Sequence, residues 1–442
     1  MERVAKVLLV STYEMGRQPF GLASPAAWLR ESGHFVTCAD LAVGVFPRAA
    51  AAEATVIAFY LPMHTATRMM LPLLPQVRAL NGSAKLAAYG LYAPINEALL
   101  REHGVDAVLG AEFEADLLAL VNSGAAAQAG LVKLQFKVPD RTGLPGLGRY
   151  AKLHVGGEMR SVGYTEATRG CKHMCRHCPV VPVYQGQFRV VQAEVVLEDI
   201  RRQVAVGARH ITFGDPDFLN GPSHARRIVE QLHREFPALT YDVIIKVQHL
   251  LRHQNLLPVL AETGCLFVTT AVESIDDAVL RHIEKNHTRA EFLQVVRLAR
   301  EAGLTLVPTF IPFTPWTTRG GYCELLDLLS SEGLAENVPP VQLAIRLLIP
   351  NGSRMLELAE IRERVKGFDA QGLVHRWSHI DPDVDALSHR LLMLVDRMQK
   401  AGAGRAQIFG SVWREAVGQD WPENYRLMPR TAVPYLDEPW YC

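Results

Sequence analysis

The sequence predicts an α/β protein in which a doubly wound parallel sheet precedes a partial (β/α)6 barrel of the TIM type and a small C-terminal region. Two stretches of alternating β-rich and helical segments, residues 1–122 and 160–360, predict the two sheets, because strands that alternate with helices form parallel sheets. A segment rich in Gly and Pro, residues 123–159, is expected to link them. Residues 361–442 are expected to form a partly helical third region.

The first stretch contains five short apolar runs that predict strands. They are Val4–Val10, His34–Ala39, Ala54–Tyr60, Lys85–Tyr89 and Asp106–Leu109. Between the first two runs we expect a helix with Ser24 as N-cap, Pro25 at its first position and Gly33 at its end. Ligands of such sheets bind beyond the carboxyl ends of the strands.

The second stretch repeats the alternation six times, which predicts a barrel whose function lies in the loops after the strands. The candidate strands are Arg160–Thr165, His210–Phe213, Tyr241–Val247, Leu266–Val272, Thr305–Ile311 and Val341–Ile349. The interleaved helices are predicted at Ala193–Val206, Ser223–Glu235, Leu251–Thr263, Asp276–Glu284, Arg289–Ala302 and Leu325–Glu332.

Charge and cysteine usage narrow the class of protein. The 442 residues include 46 Lys plus Arg and 46 Asp plus Glu, so no basic footprint points to nucleic acid or to an anionic membrane. Seven unevenly spaced cysteines do not form a disulfide framework and fit the reducing cytoplasm. The apolar run at Val4–Val10 is too short for a signal peptide or a membrane span.

Cys171, Cys175 and Cys178 lie close behind the first predicted barrel strand. Three thiolates within eight residues can bind three irons of one cubane and leave the fourth iron open to a small chelating molecule. The alternative is a zinc site completed by His173 or His177. Structural zinc sites usually pair one Cys-x2–4-Cys with a distant second pair, and the sequence offers no second pair.

This Cys-x3-Cys-x2-Cys spacing after the first barrel strand resembles the radical S-adenosylmethionine (SAM) superfamily. The resemblance implies a 4Fe–4S cluster that binds the amine and carboxylate of SAM and delivers one electron to its sulfonium. It also implies a cellular one-electron donor of the flavodoxin or ferredoxin type.

The same resemblance assigns SAM contacts to the ends of later barrel strands. It implies Gly214 and Asp215 after the second strand, and Glu273 with Ser274 after the fourth. Lys246 and Arg346 could pair with the SAM carboxylate, and could equally be structural ion-pair partners.

A doubly wound domain before such a barrel resembles the cobalamin-binding class of the superfamily. The resemblance places cobalamin contacts at Ser11, His64, Gly90 and Tyr92, each after a predicted strand of this domain, which is of the Rossmann or flavodoxin type. No Asp-x-His-x-x-Gly motif offers a histidine as lower cobalt ligand. The alternative is a domain that only packs on the barrel or receives substrate.

The printed sequence stops at Glu438-Pro-Trp-Tyr-Cys442, which resembles the tail of the CUAEP/CCAEP-tail radical SAM proteins. In that group a second Cys or a selenocysteine follows, then Ala-Glu-Pro, so a selenocysteine codon read as a stop is one explanation. Cys442 is the candidate catalytic thiol, able to bind a soft atom such as arsenic.

Three hypotheses of function follow. The first is a radical SAM enzyme that modifies a small molecule by cobalamin-assisted methylation. The second is cobalamin-independent transfer of another SAM-derived group, such as aminocarboxypropyl, to a soft atom held by the tail cysteine. The third is an iron–sulfur electron carrier or sensor without enzymatic activity.

Overall fold

The computed structural model describes residues 4–110, 112–125, 134–422 and 433–437. Its strands are β1 Lys6–Ser11, β2 Phe35–Asp40, β3 Val56–Tyr60, β4 Lys85–Tyr89, β5 Ala107–Val108, β6 Lys152–Val155, β7 Glu158–Thr165, β8 Thr168–Gly170, β9 Phe188–Val190, β10 His210–Phe213, β11 Thr240–Ile244, β12 Cys265–Glu273, β13 Thr305–Phe310, β14 Val365–Asp369, β15 Val374–Trp377 and β16 Tyr435–Leu436.

The helices alternate with these strands. They are α1 Phe20–Glu31, α2 Arg48–Glu53, α3 His64–Met70, α4 Leu74–Leu80, α5 Tyr92–Ile95, α6 Glu97–Glu102, α7 Phe113–Ser123, α8 Val181–Tyr184, α9 Ala193–Ala205, α10 Pro222–Glu235, α11 Val247–Arg252, α12 Leu257–Glu262, α13 Asp277–His282, α14 Arg289–Glu301, α15 Arg319–Ser331, α16 Ala359–Arg362, α17 Pro382–Lys400 and α18 Arg405–Val417. Short 3-10 turns lie at Leu71–Leu73, Leu147–Arg149, Phe218–Asn220, Gln254–Leu256, Pro340–Leu343 and Arg354–Glu357.

The N-terminal sheet is parallel throughout, in the order β2-β1-β3-β4-β5. Alternate side chains of β1 enter two separate cores: Leu8 and Val10 pack on one face, Val7 and Leu9 on the other. Apolar cover on both faces explains why β1 is a continuous apolar run rather than an alternating one. The predicted doubly wound sheet is confirmed.

Helix α1 differs from its prediction, because it begins at Phe20 and carries Pro25 inside it. A proline in a helix interior leaves the carbonyl four residues earlier without its usual donor. Here the Tyr89 hydroxyl donates to that carbonyl, of Gly21, at 2.8 Å. Ser24 is therefore not the N-cap, and its hydroxyl instead donates to Glu114 Oε1 at 2.6 Å.

The second sheet is a curled half barrel in the order β13-β12-β11-β10-β7-β6-β16. The five strands from β7 to β13 run parallel, whereas β6 and β16 extend the sheet antiparallel. The partial barrel predicted from the sequence is confirmed. The carboxyl ends of β11 and β12 lie beside the cysteine loop, residues 171–178, which follows β8.

The predicted sixth barrel strand is reduced to one bridge between Phe313 and Arg346. Pro339 and Pro340 lack the N–H groups that a ladder needs, and the chain turns into a 3-10 helix instead. The Gln342 side chain then accepts the N–H of Phe310 at 3.1 Å, where a sixth strand would have continued the ladder.

Within the described ranges, no helix combines the length and apolarity needed to cross a membrane.

Candidate functional site

The cysteine loop begins where the short strand β8 ends. Gly170 adopts a φ of +75°, and a Cβ there would lie 2.3 Å from the Tyr184 ring, so only glycine fits. Cys171 and Cys175 are buried and Cys178 is partly buried. Cys171 and Cys178 belong to one apolar cluster with Val180 and Tyr184. The loop therefore places two of its three thiols, those of Cys171 and Cys178, against an apolar wall.

Burial opposes ionisation of the Cys171 and Cys178 thiols. It raises the pKa of the Cys171 thiol and raises the pKa of the Cys178 thiol to about 12. One compensating charge is close, because Lys246 Nζ lies 3.2 Å from Cys175 Sγ. Lys246 precedes α11, beyond the carboxyl end of β11, as a barrel site requires.

Glu273 ends β12 in a strained conformation. Its φ is +70°, and the β12–β13 register shifts beside it. Glu273 Oε1 lies 3.2 Å from His177 Nε2 and 3.0 Å from Lys285 Nζ. Burial raises the pKa of the Glu273 carboxyl, but Lys285 and His177 outweigh it and hold the pKa well below its usual range. The strain positions a charged carboxylate beside the cysteine loop.

Ser274, the next residue, serves the following turn: its hydroxyl accepts the N–H of Asp276 at 3.0 Å. A role for it in binding SAM remains a prediction.

A second charged group beside the loop was not predicted from the sequence. Asp217 is fully buried, and its Oδ2 lies 2.7 Å from His249 Nδ1 and 3.5 Å from His173 Nε2. Burial raises the pKa of Asp217, but the two histidines outweigh it and bring the pKa to about 2. Ligand atoms of Cys171, His173 and Asp217 lie within 4.8 Å of one another.

Gly214 and Asp215 follow β10 and contact the segment 164–168 that leads into the cysteine loop, and Gly214 also lines the cavity of about 200 Å³ next to that loop. A Cβ on Gly214 would lie 1.8 Å from the Tyr164 hydroxyl oxygen. Asp215 accepts from the Thr168 hydroxyl at 2.5 Å and from the N–H of Ala167 at 3.0 Å. Burial raises the pKa of Asp215 to about 7. Both residues support the loop, and their predicted contact with SAM remains a prediction.

Arg346 has structural partners in the C-terminal region. It pairs with Asp385 at 2.8 Å and its guanidinium lies 4.1 Å from the Trp377 ring centroid. These contacts favour the structural alternative that the sequence left open for it.

The four candidates of the N-terminal sheet lie at its carboxyl edge. Gly90 has a φ of +102°, and a Cβ there would lie 3.0 Å from the Leu61 carbonyl. Tyr92 is buried with its ring centroid 6.4 Å from that of His64, whose Nε2 contacts the Gly372 carbonyl. Ser11 Oγ is buried without a hydrogen-bond partner among the described residues.

This edge faces the cysteine loop across a cavity of about 200 Å³. Met63, Gly90 and Leu91 line it from the N-terminal sheet, and Gly170 and Tyr184 line it from the loop. Leu91 also packs on the cluster that contains Cys171. A ligand at the carboxyl edge of the first sheet would thus lie next to the cysteine loop.

A buried guanidinium joins the two sides of this cavity. Arg169 lies 2.7 Å from Glu114 Oε1 and 2.8 Å from Glu166 Oε2, with Glu112 at 3.9 Å. Sequence reasoning missed Arg169 and Lys285, although both stand beside candidates, Arg169 two residues before Cys171 and Lys285 twelve after Glu273. Glu166 lies three residues before Arg169, but Glu112 and Glu114 come from the N-terminal domain, and no local pattern reveals that they meet Arg169.

The donor set fits a cluster better than a zinc ion. The zinc alternative requires His173 or His177 as fourth ligand, yet His173 faces Asp217 and His177 faces Glu273. Three soft thiols match an iron–sulfur cubane that leaves one iron open, although ligand atoms of His173 and Asp217 also lie within 4.8 Å of Cys171 Sγ. Cys442 lies outside the described residues.

Comparison with known proteins identifies the domain around this loop. Residues 165–329 match the model of the radical SAM superfamily. A hopanoid C-3 methylase of Methylococcus capsulatus is 24% identical over 168 residues, which are 38% of this chain and 32% of that protein. A tRNA-2-methylthio-N(6)-dimethylallyladenosine synthase of Desulfosudis oleivorans is 27% identical over 184 residues, which cover 38% of this chain and 37% of that protein. The match thus spans about a third of each curated relative.

Two solved structures resemble the fold over most of the chain. The cobalamin-dependent radical SAM enzyme OxsB with aqua-cobalamin aligns with a TM-score of 0.71 at 16% identity, covering 90% of this chain and 67% of that one. The radical SAM methyltransferase TsrM of Kitasatospora setae, with tryptophan and a SAM analogue, aligns with a TM-score of 0.62 at 16% identity. The alignment covers 80% of this chain and 76% of the TsrM chain. The chain therefore contains a radical SAM domain, with the 4Fe–4S cluster and SAM that this domain implies, in the fold shared by OxsB and TsrM.

Proposed function

We propose that this chain is a methyltransferase that uses SAM and cobalamin to methylate a small molecule. The observation that supports the proposal is that two expected ligand-binding regions face each other. The carboxyl edge of the N-terminal sheet, where doubly wound sheets bind ligands, faces the cysteine loop across one cavity. Leu91 of that edge packs on the cluster containing Cys171.

On the cluster side, Cys171, Cys175 and Cys178 would hold three irons. Lys246 would offset the negative charge of the thiolates from 3.2 Å. Glu273, kept ionised by Lys285 and His177, is a carboxylate suited to the SAM ammonium group. The apolar wall of Val180 and Tyr184 would keep water from the reacting bond.

On the other side, Ser11, His64, Gly90 and Tyr92 would form the cobalamin cradle. Cobalamin supplies a cobalt atom that carries a methyl group between a donor and an acceptor. Gly90 lines the cavity and lets backbone approach a ligand, and the unpartnered Ser11 hydroxyl is buried at the same edge. The cavity of about 200 Å³ is smaller than the roughly 300–1,000 Å³ of ordinary small-molecule pockets. Cobalamin binding therefore requires the facing walls to move apart.

The substrate class follows from charge and from the fold neighbours. The balanced charge of the chain favours a small molecule over nucleic acid. TsrM, described with tryptophan as substrate, shares the fold. A flavodoxin or ferredoxin would supply the electron.

Anaerobic reconstitution of the full chain tests the proposal. Iron, sulfide and corrin are measured in one sample, and SAM cleavage is followed by 5′-deoxyadenosine release and by methyl transfer from labelled SAM. We expect Cys171→Ala to lose both the brown absorbance and SAM cleavage, because one iron loses its ligand. Cys323→Ala is the matched control, since this partly buried thiol packs against the core and donates to the Ala416 carbonyl, far along the chain from the loop.

A zinc ion without sulfide in the wild-type protein, or an intact cluster in Cys171→Ala, would contradict the radical SAM assignment. A cluster that never cleaves SAM under dithionite would favour the electron-carrier hypothesis. A cluster that cleaves SAM while the protein binds no corrin would contradict the cobalamin part alone.

One observation keeps the tail hypothesis as a second candidate. The strand β16, Tyr435–Leu436, pairs with β6 and lines a cavity inside the half barrel. This contact brings the tail to the body of the protein, as transfer of a SAM-derived group to a soft atom on Cys442 would require. If that reaction operates, Cys442→Ser abolishes transfer to arsenite while SAM cleavage persists.

A further inference from the structure

A separate cavity of about 280 Å³ lies inside the curve of the half-barrel sheet. Hydroxyl-bearing and acidic side chains of successive strands line it: Thr212 of β10, Asp242 of β11, Thr269 of β12 and Thr309 of β13. Below it, Phe267 packs with Leu153, Val162 and Val307 as an apolar floor, with Leu436 against it. The cavity thus has a polar wall above an apolar base, which is the usual composition of a small-molecule site.

The C-terminal strand β16 completes this cavity. Tyr435 pairs with His154 and Leu436 with Leu153, and both tail residues line the cavity together with Pro434. The Tyr435 ring stacks on His154 with centroids 4.7 Å apart. The tail strand therefore supplies a wall where the half barrel is open.

Asp242 is the acidic group on this wall, and it is only 4% exposed. Its Oδ1 accepts from the Thr212 hydroxyl at 2.6 Å and lies 2.9 Å from His210 Nε2. Among the described residues, no Lys or Arg lies within ion-pair distance of it, and Oδ2 accepts no hydrogen bond. A buried carboxylate with an unused oxygen is costly unless a cationic or hydrogen-bond-donating ligand meets it.

Positive charge lines other parts of the same cavity. Arg17 and Arg405 both contribute to its wall, and Arg405 lies over the Tyr435 ring at 5.0 Å. A cation without an acidic group would be repelled by these guanidinium groups. A ligand that carries both an ammonium and an acidic group is complementary to a cavity lined by both signs of charge.

The cavity also adjoins the one between the cysteine loop and the N-terminal sheet. Met15 and Arg17 line both cavities. Met15 has a φ of +50°, so this wall is built from strained backbone. Met15 and Arg17 therefore form a wall that the two cavities share.

We propose that the barrel cavity is the substrate site and that it takes a small zwitterion of the amino-acid class, with its ammonium group on Asp242. The proposal rests on the proposed function and names the substrate class of that site.

The test uses three probes that share a phenylalkyl group and differ in charge. L-phenylalanine carries an ammonium and a carboxylate, 2-phenylethylamine only the ammonium, and 3-phenylpropionate only the carboxylate. Each is titrated calorimetrically into the anaerobically reconstituted full-length enzyme. We expect phenylalanine to bind at least tenfold more tightly than either singly charged probe. Asp242→Asn keeps the shape of the side chain and should weaken phenylalanine and phenylethylamine at least tenfold, but not phenylpropionate. Asp327→Asn, at an exposed position of α15, is the matched control and should change nothing.

Equal binding of phenylalanine and phenylpropionate, unchanged binding in Asp242→Asn, or no binding of any probe at millimolar concentration would overturn the proposal. If Asp242→Asn does not assemble its cluster, Thr309→Leu fills the cavity without touching Asp242 and should weaken phenylalanine at least tenfold. Unchanged affinity in that variant would also overturn it. SAM cleavage without substrate is measured in every sample, so a failure of the radical SAM function is distinguished from a failure of this site.

Discussion

Replacing Arg169 with methionine should destabilise the protein strongly, because its buried guanidinium lies among the carboxylates of Glu112, Glu114 and Glu166, the first two of them buried. Its side chain is 6% exposed, and it contacts Glu114 and Glu166 within 3 Å. Methionine has a similar length but carries no charge and no N–H donor. The variant therefore leaves these carboxylates buried without their cation.

The expected magnitude follows from that geometry. Breaking a buried ion pair by removing one partner costs ~3–5 kcal/mol. Unfolding entropy of ~2.1 cal/mol/K per residue over 442 residues corresponds to ~0.9 kcal/mol per degree. Arg169→Met should therefore lower Tm by about 3–5 °C if the chain unfolds cooperatively.

The loss should also depend on pH. Burial raises the pKa of Glu112 and of Glu166, and Arg169 lowers both, so its removal raises them further. A carboxyl whose pKa is raised in the folded state favours folding at low pH and disfavours it as the pH rises through that pKa. The destabilisation should be full at pH 8 and smaller at pH 5, where the carboxyls begin to take up protons.

Differential scanning calorimetry of the reconstituted protein at both pH values measures this prediction. Arg202→Met is the matched control, since Arg202 is 55% exposed and pairs with Glu198 on the same helix. It should cost less than about 1 kcal/mol. A Tm shift below about 1 °C for Arg169→Met, or the same shift at pH 5 and pH 8, would refute the reasoning.

Two further predictions concern the barrel. Gly214→Ala should destabilise the protein by about 1–3 kcal/mol in urea unfolding, because its Cβ would meet the Tyr164 hydroxyl oxygen at 1.8 Å. Gly146→Ala, where nothing lies within 4 Å, should stay within about 0.5 kcal/mol, and equal losses would contradict the explanation. Glu273→Gln should retain iron and sulfide but lower the rate of SAM cleavage on the order of 10²-fold, because Lys285 loses its buried partner and the site shifts. The exposed Glu262→Gln is its control, and full SAM cleavage in Glu273→Gln would exclude the residue from the site.

Sequence reasoning identified the cysteine loop because its three thiols lie within eight residues. The family resemblance implied Glu273, and the place of Lys246 near the end of a barrel strand made it a candidate that could equally be structural. The structure brings both beside that loop. Sequence reasoning did not identify Asp217 or Lys285. Acidic and basic residues occur at many strand ends, and only the fold shows which of them are buried and face one another.

Local sequence determined the five strands of the N-terminal sheet and the five parallel strands of the half barrel, because runs such as Val7–Val10 are apolar enough to require burial. Tertiary structure decided the rest. Tyr435 pairs with His154 although 281 residues separate them. Pro25 sits inside α1 because the Tyr89 hydroxyl meets the Gly21 carbonyl. The burial of an apolar run can be predicted from its own residues. Hydrogen bonds and ion pairs between distant segments exist only once the sheets have packed, so the sequence alone does not predict them.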